Sequence, residues 1–310
     1  MFKSGVFPKR ITVELTNICN ISCSFCPRHL IKMPFGYMED DLFYKIIDEA
    51  AKHLPVTIVL FFRGESLLHD QLDAFIKYAK QKGIGPLQLA SNALALTDEI
   101  GDKLIAAGLD FISFSIDTNN EVIYKQARKN GDLQTSRNNI LHFVKKCEEA
   151  RKNGVQTPEI QVSTVDLPEY KNGQQEFIDF WQQYADRIRV YIEHSTDGNL
   201  GSIQQALPLN SSQRQACQKV FSDMIIYWDG KVALCNHDWN NILPLGNIKE
   251  MGIAEIWNGE EYEKVRNMHR TAEFPKDIVC KKCDHWQMYY LSDGFLGKVY
   301  EKAEKRYEHA

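Results

Sequence analysis

Three cysteines near the N-terminus form the strongest chemical pattern in the sequence. Cys19, Cys23 and Cys26 stand at CxxxCxxC spacing, directly after the β-branched run 11–15. Thiolates bind zinc and iron–sulfur clusters, and a closed metal site usually takes four protein ligands. Three thiolates on one tight loop could hold three irons of a [4Fe–4S] cluster and leave the fourth iron open. A zinc loop is the alternative that this spacing alone leaves open.

Four more cysteines form a second group in the C-terminal part of the chain. Twelve residues separate Cys217 from Gly230, four separate Gly230 from Cys235, and Cys280 and Cys283 form a CxxC pair. The stretch before Cys235 predicts a β-hairpin with Asp-Gly at its turn, which would bring the first two cysteines together. Taken alone, four thiolates with a CxxC pair favour a closed zinc site.

Composition and charge limit the partners of the protein. The 310 residues are 44% hydrophobic and 25% charged, and 37 Lys and Arg against 41 Asp and Glu give a net charge of −4. This balance gives no bulk attraction to nucleic acid or to an anionic membrane, and no apolar run approaches the ~20 residues that span a bilayer. We therefore predict a cytoplasmic protein, whose reducing surroundings leave the cysteines for metal binding or catalysis.

Short β-branched runs alternate with helix-period segments over residues 10–195, which is typical of βα units around a parallel sheet. Thr97 and Gly108 have the residue types that begin and end a helix. Six such units predict an α/β fold with an open, partial (β/α)6 barrel. The predicted strands are 11–15, 57–62, 87–90, 111–116, 160–165 and 188–192. The predicted helices are 40–53, 70–82, 97–107, 119–152 with a break near Gly131, and 174–186.

A polar stretch after the sixth predicted strand divides the chain. We predict a barrel domain over residues 1–195, a linker over 196–216, and a small hairpin-plus-helix auxiliary domain over 217–310 that ends in a C-terminal helix. In parallel βα barrels the chemistry lies on loops that follow the C-terminal ends of the strands. The CxxxCxxC loop follows the first strand at that end.

This cysteine loop, with Phe25 before its last cysteine and a βα barrel around it, resembles the loop of radical S-adenosylmethionine (SAM) enzymes. The resemblance implies that the methionyl amine and carboxylate of SAM bind the open iron. Reductive cleavage then yields a 5′-deoxyadenosyl radical that takes a hydrogen atom from the substrate. It also implies a flavodoxin- or ferredoxin-type electron donor.

Other predicted strand ends share this resemblance. Gly64 and Glu65 resemble the family's Gly-Gly-Glu-Pro segment, whose glutamate and backbone hold the methionyl amine, although Arg63 and Ser66 replace its outer residues. Polar residues after the third and fourth strands resemble groups that line the SAM site, and one arginine resembles a residue that pairs with the methionyl carboxylate. These further expected SAM contacts are Ser91, Asn92, Ser115, Asp117 and, for the carboxylate, Arg128.

The second cysteine group resembles the shortened SPASM- or Twitch-type auxiliary domain that follows many radical SAM barrels. The segments 245–248 and 256–257 match that domain as well as the cysteines do. In it, four cysteines hold a second [4Fe–4S] cluster with complete ligation. The resemblance implies two clusters in total, held by Cys19, Cys23, Cys26, Cys217, Cys235, Cys280 and Cys283.

The cysteine spacing further resembles radical SAM dehydrogenases that oxidise a secondary alcohol of a cyclitol to a ketone. We therefore expect an oxidoreductase that acts on a sugar or cyclitol, with the auxiliary cluster accepting the substrate's electron. Those dehydrogenases carry an arginine that contacts the substrate hydroxyl where this chain has Leu200. We expect replacement catalytic groups from Glu193, His194 and Arg63, with Asp197 and Asp238 as further candidates.

Three other functions stay open at this point. Radical SAM maturases of ribosomal peptides share the auxiliary domain. Because the first predicted strand begins so early, we expect no recognition domain of the kind that many carry before it, and a separate recognition protein is the alternative. A carbohydrate epimerase is a further alternative. Some radical SAM epimerases use a lone cysteine near the auxiliary domain to return a hydrogen atom, but Cys147 lies on a charged helix of the predicted outer ring. A structural zinc protein is the non-enzymatic alternative.

Overall fold

The computed structural model describes residues 4–192, 214–281, 283, 285–290 and 298–302. The strands are β1 (Arg10–Val13), β2 (Ser22–Cys23), β3 (Thr57–Val59), β4 (Leu87–Ser91), β5 (Phe111–Ser115), β6 (Arg128–Lys129), β7 (Glu159–Asp166), β8 (Arg187–Ile192), β9 (Asp223–Ile226), β10 (Val232–Ala233) and β11 (Lys298–Glu301). The helices are α1 (Asp40–Ala50), α2 (Leu72–Gln81), α3 (Asp98–Ala107), α4 (Glu121–Ala127), α5 (Leu133–Lys152), α6 (Gln174–Trp181), α7 (Lys219–Ser222), α8 (Ile253–Trp257) and α9 (Glu260–Thr271).

One sheet organises the molecule. Its strand order is β10-β9-β1-β3-β4-β5-β7-β8-β11, and the six strands from β1 to β8 in this order pair in parallel. Helices connect these six strands, so the predicted α/β fold with a partial (β/α)6 barrel is confirmed. The remaining strands, β2 and β6, form a separate two-stranded ladder.

The sheet separates an apolar outer face from a polar inner face. Ile11 and Val13 are fully buried against α1, where Phe43 stacks on Phe75 of α2 at 4.1 Å between ring centroids. Successive side chains of a strand point to opposite faces, so Arg10 and the other alternate residues of β1 face the barrel interior. The partial barrel therefore encloses a polar surface.

Local signals account for the helix ends. The Thr97 hydroxyl accepts a hydrogen bond from the backbone N–H of Ile100, and Gly108 ends α3 with a left-handed φ of +83°. Both predicted caps are confirmed. The predicted break near Gly131 also exists, since α4 ends at Ala127 and α5 begins at Leu133. Arg128, predicted on a helix, is instead the first residue of β6.

The auxiliary segment shares the barrel's sheet. Strand β9 pairs in parallel with β1, from Arg10 beside Asp223 to Val13 beside Ile226. The predicted hairpin then returns through β10, with Gly230 at a left-handed φ of +89° in its turn. The auxiliary hairpin is thus continuous with the barrel. Ile226 and Val232 belong to the same core as the barrel residues, whereas Ile225, Tyr227 and Ala233 form a separate small cluster.

The predicted C-terminal helix is wrong for the residues that the structure describes there. Residues 298–301 form β11, which pairs antiparallel with β8. Val299 and Tyr300 favour extended backbone, and β8 would otherwise be an unpaired edge of the sheet. Residues 193–213, which include most of the predicted linker, lie outside the described residues. Among the described helices, none has the length and apolarity that crossing a membrane requires.

Two isoleucines of the auxiliary segment test this shared core. Ile226 on β9 is fully buried, whereas Ile242 is 66% exposed. We expect Ile226→Ala to lower the free energy of unfolding by about 2–5 kcal/mol, because it removes buried methyl groups and leaves a cavity. Thermal unfolding followed by circular dichroism should show the loss in the transition of the whole chain. Ile242→Ala is the matched control and should change stability little; a loss confined to a minor separate transition would contradict the shared core.

Candidate active site

The cysteine loop is held by its pairing with the segment after α4. Residues Ser22 and Cys23 pair with Lys129 and Arg128, and the backbone N–H of Cys26 donates to the carbonyl of Cys23 at 3.2 Å. Burial raises the pKa of the Cys23 thiol to about 11; Arg128 opposes this shift, while the other two thiols of the loop add to it. The three thiols are therefore electrostatic neighbours at the C-terminal end of β1.

The loop after β3 packs directly against the cysteine loop. A side chain at Gly64 would lie 2.6 Å from the carbonyl oxygen of Ile18 and closer still to that of Thr16, so only glycine fits. The backbone N–H of Glu65 donates to the Ile18 carbonyl at 2.9 Å. Gly64 therefore allows Glu65 to lie beside the cysteines.

The Glu65 carboxylate is buried and fixed by backbone amides. It accepts hydrogen bonds from the N–H groups of Leu67 at 3.1 Å and Asn92 at 2.8 Å. Burial raises the pKa of Glu65, and these hydrogen bonds oppose the shift. A carboxylate at this position can bind an ammonium group, as the methionyl amine of SAM would require.

The strand end after β4 connects this carboxylate to the cysteines. The Asn92 side-chain amide donates to Asn20 Oδ1 at 2.8 Å and lies 3.9 Å from the Cys19 Sγ. The Ser91 hydroxyl accepts from the backbone N–H of Ala93 at 2.9 Å. The predicted SAM residues of this strand therefore lie at the cysteine loop.

A buried ion pair borders the other side of the loop. Arg128 Nε and Nη2 contact Asp117 Oδ2 at 2.7 and 2.6 Å, and the guanidinium lies 5.6 Å from the centroid of the Phe25 ring. Burial lowers the pKa of Arg128, but the charge of Asp117, the hydrogen bond to it, and the Cys23 and Tyr124 groups together outweigh burial, and the net shift is upward. The guanidinium thus stays charged beside the aromatic residue that precedes Cys26. Ser115, also predicted, is half-buried with its hydroxyl 3.5 Å from that of Ser163.

The predicted catalytic residues have different outcomes. Glu193, His194 and Asp197 lie outside the described residues. Arg63 is buried, and its guanidinium binds both oxygens of Glu14 and the carbonyl of Trp239, so these contacts give no support to its predicted catalytic role. Asp238 is also buried, and its carboxylate accepts the N–H groups of Leu234 and Ile242.

The four C-terminal cysteines come together as a second group. Burial raises the pKa of Cys235 to about 12, with the Cys217 thiol adding to the shift. The pKa values of Cys280 and Cys283 are also raised, chiefly by burial, and the thiols of Cys217 and Cys235 add to both shifts. The N–H of Cys283 donates to the Cys280 carbonyl at 3.2 Å, which closes the CxxC turn. Two buried and two half-buried cysteines are therefore electrostatic neighbours, as complete cluster ligation requires.

Two residues that sequence reasoning missed hold this second group. Arg214 donates to the carbonyls of Cys283 at 2.9 Å and Cys280 at 2.8 Å. Nδ1 of buried His269 accepts the N–H of Cys217 at 3.3 Å, and burial lowers the pKa of this histidine to about 4. In the sequence, Arg214 is indicated only by its position just before Cys217, and nothing indicates His269.

The two thiol groups fit iron–sulfur clusters by their chemistry. Three neighbouring thiols leave one ligand position for SAM, and four neighbouring thiols complete a cluster. Within the ranges that the structure describes, no three His, Cys, Asp or Glu side chains are close enough to share one metal ion. A cluster binds each thiolate through a different iron, so its cysteines need not meet at one point.

Comparison with known proteins identifies the class. The model of the radical SAM superfamily matches residues 13–180, and this chain belongs to that superfamily. The iron–sulfur cluster-binding SPASM domain matches residues 217–284. The predicted enzyme class, SAM and iron–sulfur cofactors, and auxiliary domain are therefore confirmed.

Particular relatives cover most of the chain. The tungsten-containing aldehyde ferredoxin oxidoreductase cofactor-modifying protein of Pyrococcus furiosus is 24% identical, over 89% of this chain and 88% of its own. The SAM-dependent 2-deoxy-scyllo-inosamine dehydrogenase of Niallia circulans is 23% identical, over 89% and 92%. The structure of Streptococcus suis SuiB bound to precursor peptide SuiA has a TM-score of 0.68 at 13% identity, over 95% and 75%, which supports the fold alone.

Cluster stoichiometry tests the two thiol groups. We expect anaerobic reconstitution to give about eight irons per chain, because seven cysteines suffice for two [4Fe–4S] clusters when one iron is left open. Replacing Cys19, Cys23 and Cys26 by Ala should reduce the content to about four irons, while Cys147→Ala should leave it unchanged. A wild-type content near four irons would contradict the prediction of a second cluster.

Two glutamates with similar backbone contacts test the SAM site. Glu65 and Glu49 each accept two backbone N–H groups, but Glu49 does so at the start of α8. We expect Glu65→Ala to weaken SAM binding about 10- to 100-fold, because a hydrogen bond to a charged group contributes about 1.5–3 kcal/mol. Glu49→Ala should leave the SAM affinity, measured by calorimetry on reconstituted protein, near the wild-type value. A SAM affinity of Glu65→Ala that is also near the wild-type value would exclude Glu65 from the site.

Proposed function

We propose that this chain is a radical SAM oxidoreductase that oxidises a secondary alcohol of a sugar or cyclitol to a ketone. The observation that carries the proposal is the second group of four neighbouring cysteines, two of them buried and two half-buried, in a segment whose strand β9 pairs with β1 ahead of the SAM-side cysteine loop. The relationship to 2-deoxy-scyllo-inosamine dehydrogenase over most of both chains supports the same reaction class.

Electron balance gives the second thiol group its role. Oxidation of a secondary alcohol to a ketone removes one hydrogen atom, one proton and one electron. Bound SAM, with its cluster, supplies the 5′-deoxyadenosyl radical as the hydrogen-atom acceptor. The electron needs a second acceptor, and the thiols of Cys217, Cys235, Cys280 and Cys283 are this chain's means of holding one.

The residues around the first cysteine loop orient SAM in this proposal. Glu65 would bind the methionyl amine through its buried carboxylate, while Arg128 would pair with the methionyl carboxylate. Arg128 already forms an ion pair with Asp117, so the methionyl carboxylate would compete with Asp117 for the guanidinium. Ser91, Asn92 and Ser115 would complete the polar rim of the site.

The inner face of the barrel favours a polar substrate. Gln161 donates to the hydroxyls of Ser113 at 2.8 Å and Tyr191 at 3.2 Å, and Arg10 donates to Gln88 at 2.9 Å. Such hydroxyl and amide groups can exchange hydrogen bonds with a polyol. Glu193 and His194 follow β8 directly in the chain, and we propose them as the groups that take the hydroxyl proton.

A peptide substrate is the second candidate function. The fold likeness to SuiB bound to its precursor peptide extends over 95% of this chain. Epimerisation has less support, because buried Cys147 lies near Thr157 and Asp186, which precede β7 and β8. Those residues lie at the N-terminal ends of the strands, opposite to the cysteine loop. A flavodoxin- or ferredoxin-type donor and a cytoplasmic location stay predictions.

The fate of hydrogen and electron tests the proposal. With a polyol substrate deuterated at its carbinol carbon, we expect one ketone and one deuterated 5′-deoxyadenosine for each SAM consumed. Replacing the four auxiliary cysteines by Ala should abolish ketone formation, because the electron then lacks its acceptor. Cys147→Ala is the control for cysteine loss and should retain ketone formation, as measured by mass spectrometry.

Other products would separate the rival functions. A wild-type enzyme that returns an epimer, or that cross-links a peptide and forms no ketone from any polyol tested, would contradict alcohol oxidation. Iron content and circular dichroism of the four-cysteine variant must accompany the assay, since metal binding and folding are coupled in small domains.

A further inference from the structure

A completely buried ion pair joins the segment before the first cysteine loop to the loop after β3. Arg63 Nε and Nη2 each contact one carboxylate oxygen of Glu14, both at 2.6 Å, and neither side chain is exposed to solvent. Glu14 follows β1 and precedes the first cysteine loop, whereas Arg63 follows β3. The bidentate geometry fixes the planes of both groups relative to each other.

The same pair reaches into the auxiliary segment. Arg63 Nη1 donates to the carbonyl of Trp239 at 2.6 Å, and its guanidinium lies 3.8 Å from the centroid of the Tyr227 ring. The Glu14 carboxylate also accepts the backbone N–H of Trp228 at 3.3 Å. The partners of one buried arginine therefore come from the residue after β1, the auxiliary hairpin, and the loop after Cys235.

These contacts connect the SAM-side loop to the loop after Cys235, because Arg63 and Trp239 are close in sequence to those loops. Arg63 immediately precedes Gly64 and Glu65, so its position sets the start of the SAM-side loop. Trp239 belongs to the loop that begins at Cys235, where the N–H of Asp238 donates to the Cys235 carbonyl at 3.0 Å. The Tyr227 hydroxyl also donates to the Asp238 carbonyl, which fastens this loop to the hairpin.

Burial makes this junction cooperative. A buried charge that loses its partner is left uncompensated, and water cannot replace the partner. Moving the auxiliary loop removes the Trp239 carbonyl from Arg63, whereas moving the SAM-side loop removes Arg63 from Trp239 as well as from Glu14. Both movements break the hydrogen bond between Arg63 and Trp239, so each loop is most stable when the other is in place.

We propose that the Glu14–Arg63 ion pair is a positioning element that couples SAM binding to the order of the auxiliary-cluster loop 235–242. By thermodynamic linkage, SAM then orders this loop, and an ordered loop strengthens SAM binding by the same factor. Glu14 and Arg63 act through Glu65 and touch neither the substrate nor the reacting atoms. The inference rests on the proposed assignment of Glu65 to the SAM site.

Two buried arginines provide the test. Arg266 is also buried, stacks on Trp257 at 4.4 Å, and donates to the carbonyl of Val220, but it has no described contact with the barrel loops. We expect Arg63→Met to weaken SAM binding by about tenfold, within the range typical of coupled sites. Arg266→Met removes an equally buried arginine and should change the SAM affinity less than twofold. Affinities are measured on reconstituted holoenzyme at a temperature where all variants are folded.

Hydrogen–deuterium exchange supplies a readout that a merely structural role would not change. In the wild type and in Arg266→Met, SAM should slow amide exchange in peptides that cover residues 232–242. In Arg63→Met, SAM should no longer slow exchange in these peptides. Glu14→Gln, which keeps the size of the side chain and removes its charge, should behave like Arg63→Met, and the double variant should lose no more SAM affinity than either single variant.

Tyr227 tests the coupling from the auxiliary side. Tyr227→Leu removes the ring beneath the guanidinium and should weaken SAM binding, although the residue belongs to the hairpin. Tyr227→Phe keeps the ring and should retain most of the affinity, and this pair of variants decides the matter if Arg63→Met does not fold. SAM-dependent slowing of exchange that persists in Arg63→Met, or equal affinities of the two Tyr227 variants, would overturn the coupling. A wild type that binds no SAM would instead contradict the proposed function.

Discussion

The pairing of β1 on both of its edges is the constraint on which the rest of the structure depends. Strand β3 pairs with one edge of β1 and β9 with the other, so the first barrel strand also begins the auxiliary segment. The chain leaves β1 into the first cysteine loop and leaves β9 into the hairpin that ends near Cys235. Two cysteine groups far apart in sequence are thereby attached to one rigid sheet.

Much of this architecture could be predicted because its signals are local. Short β-branched runs identify the strands, Thr97 and Gly108 identify a helix, and Asp-Gly identifies the auxiliary hairpin. The cysteine spacings identify both thiol groups, since ligands on one tight loop must be close in sequence. Gly64 is explained only by the structure, where two carbonyl groups of the cysteine loop occupy the space of a side chain.

Interactions between distant segments could not be predicted from these local signals. A charged residue at Glu14, within an apolar run, indicates a buried partner, but the sequence does not name Arg63 as that partner. The sequence therefore predicts Arg63 at the substrate, whereas its burial and its contacts with Glu14 and Trp239 place it between two loops. The pairing of β11 with β8 depends likewise on an edge that forms only in the folded sheet.

Electron paramagnetic resonance of the reduced protein, with and without SAM, tests the central claim most directly: two clusters, one of which binds SAM. We predict two reduced [4Fe–4S] signals, of which SAM shifts only one. That signal should be the one missing after Cys19, Cys23 and Cys26 are replaced by Ala. A single cluster signal in the wild type, or two signals that SAM leaves unchanged, would contradict the claim.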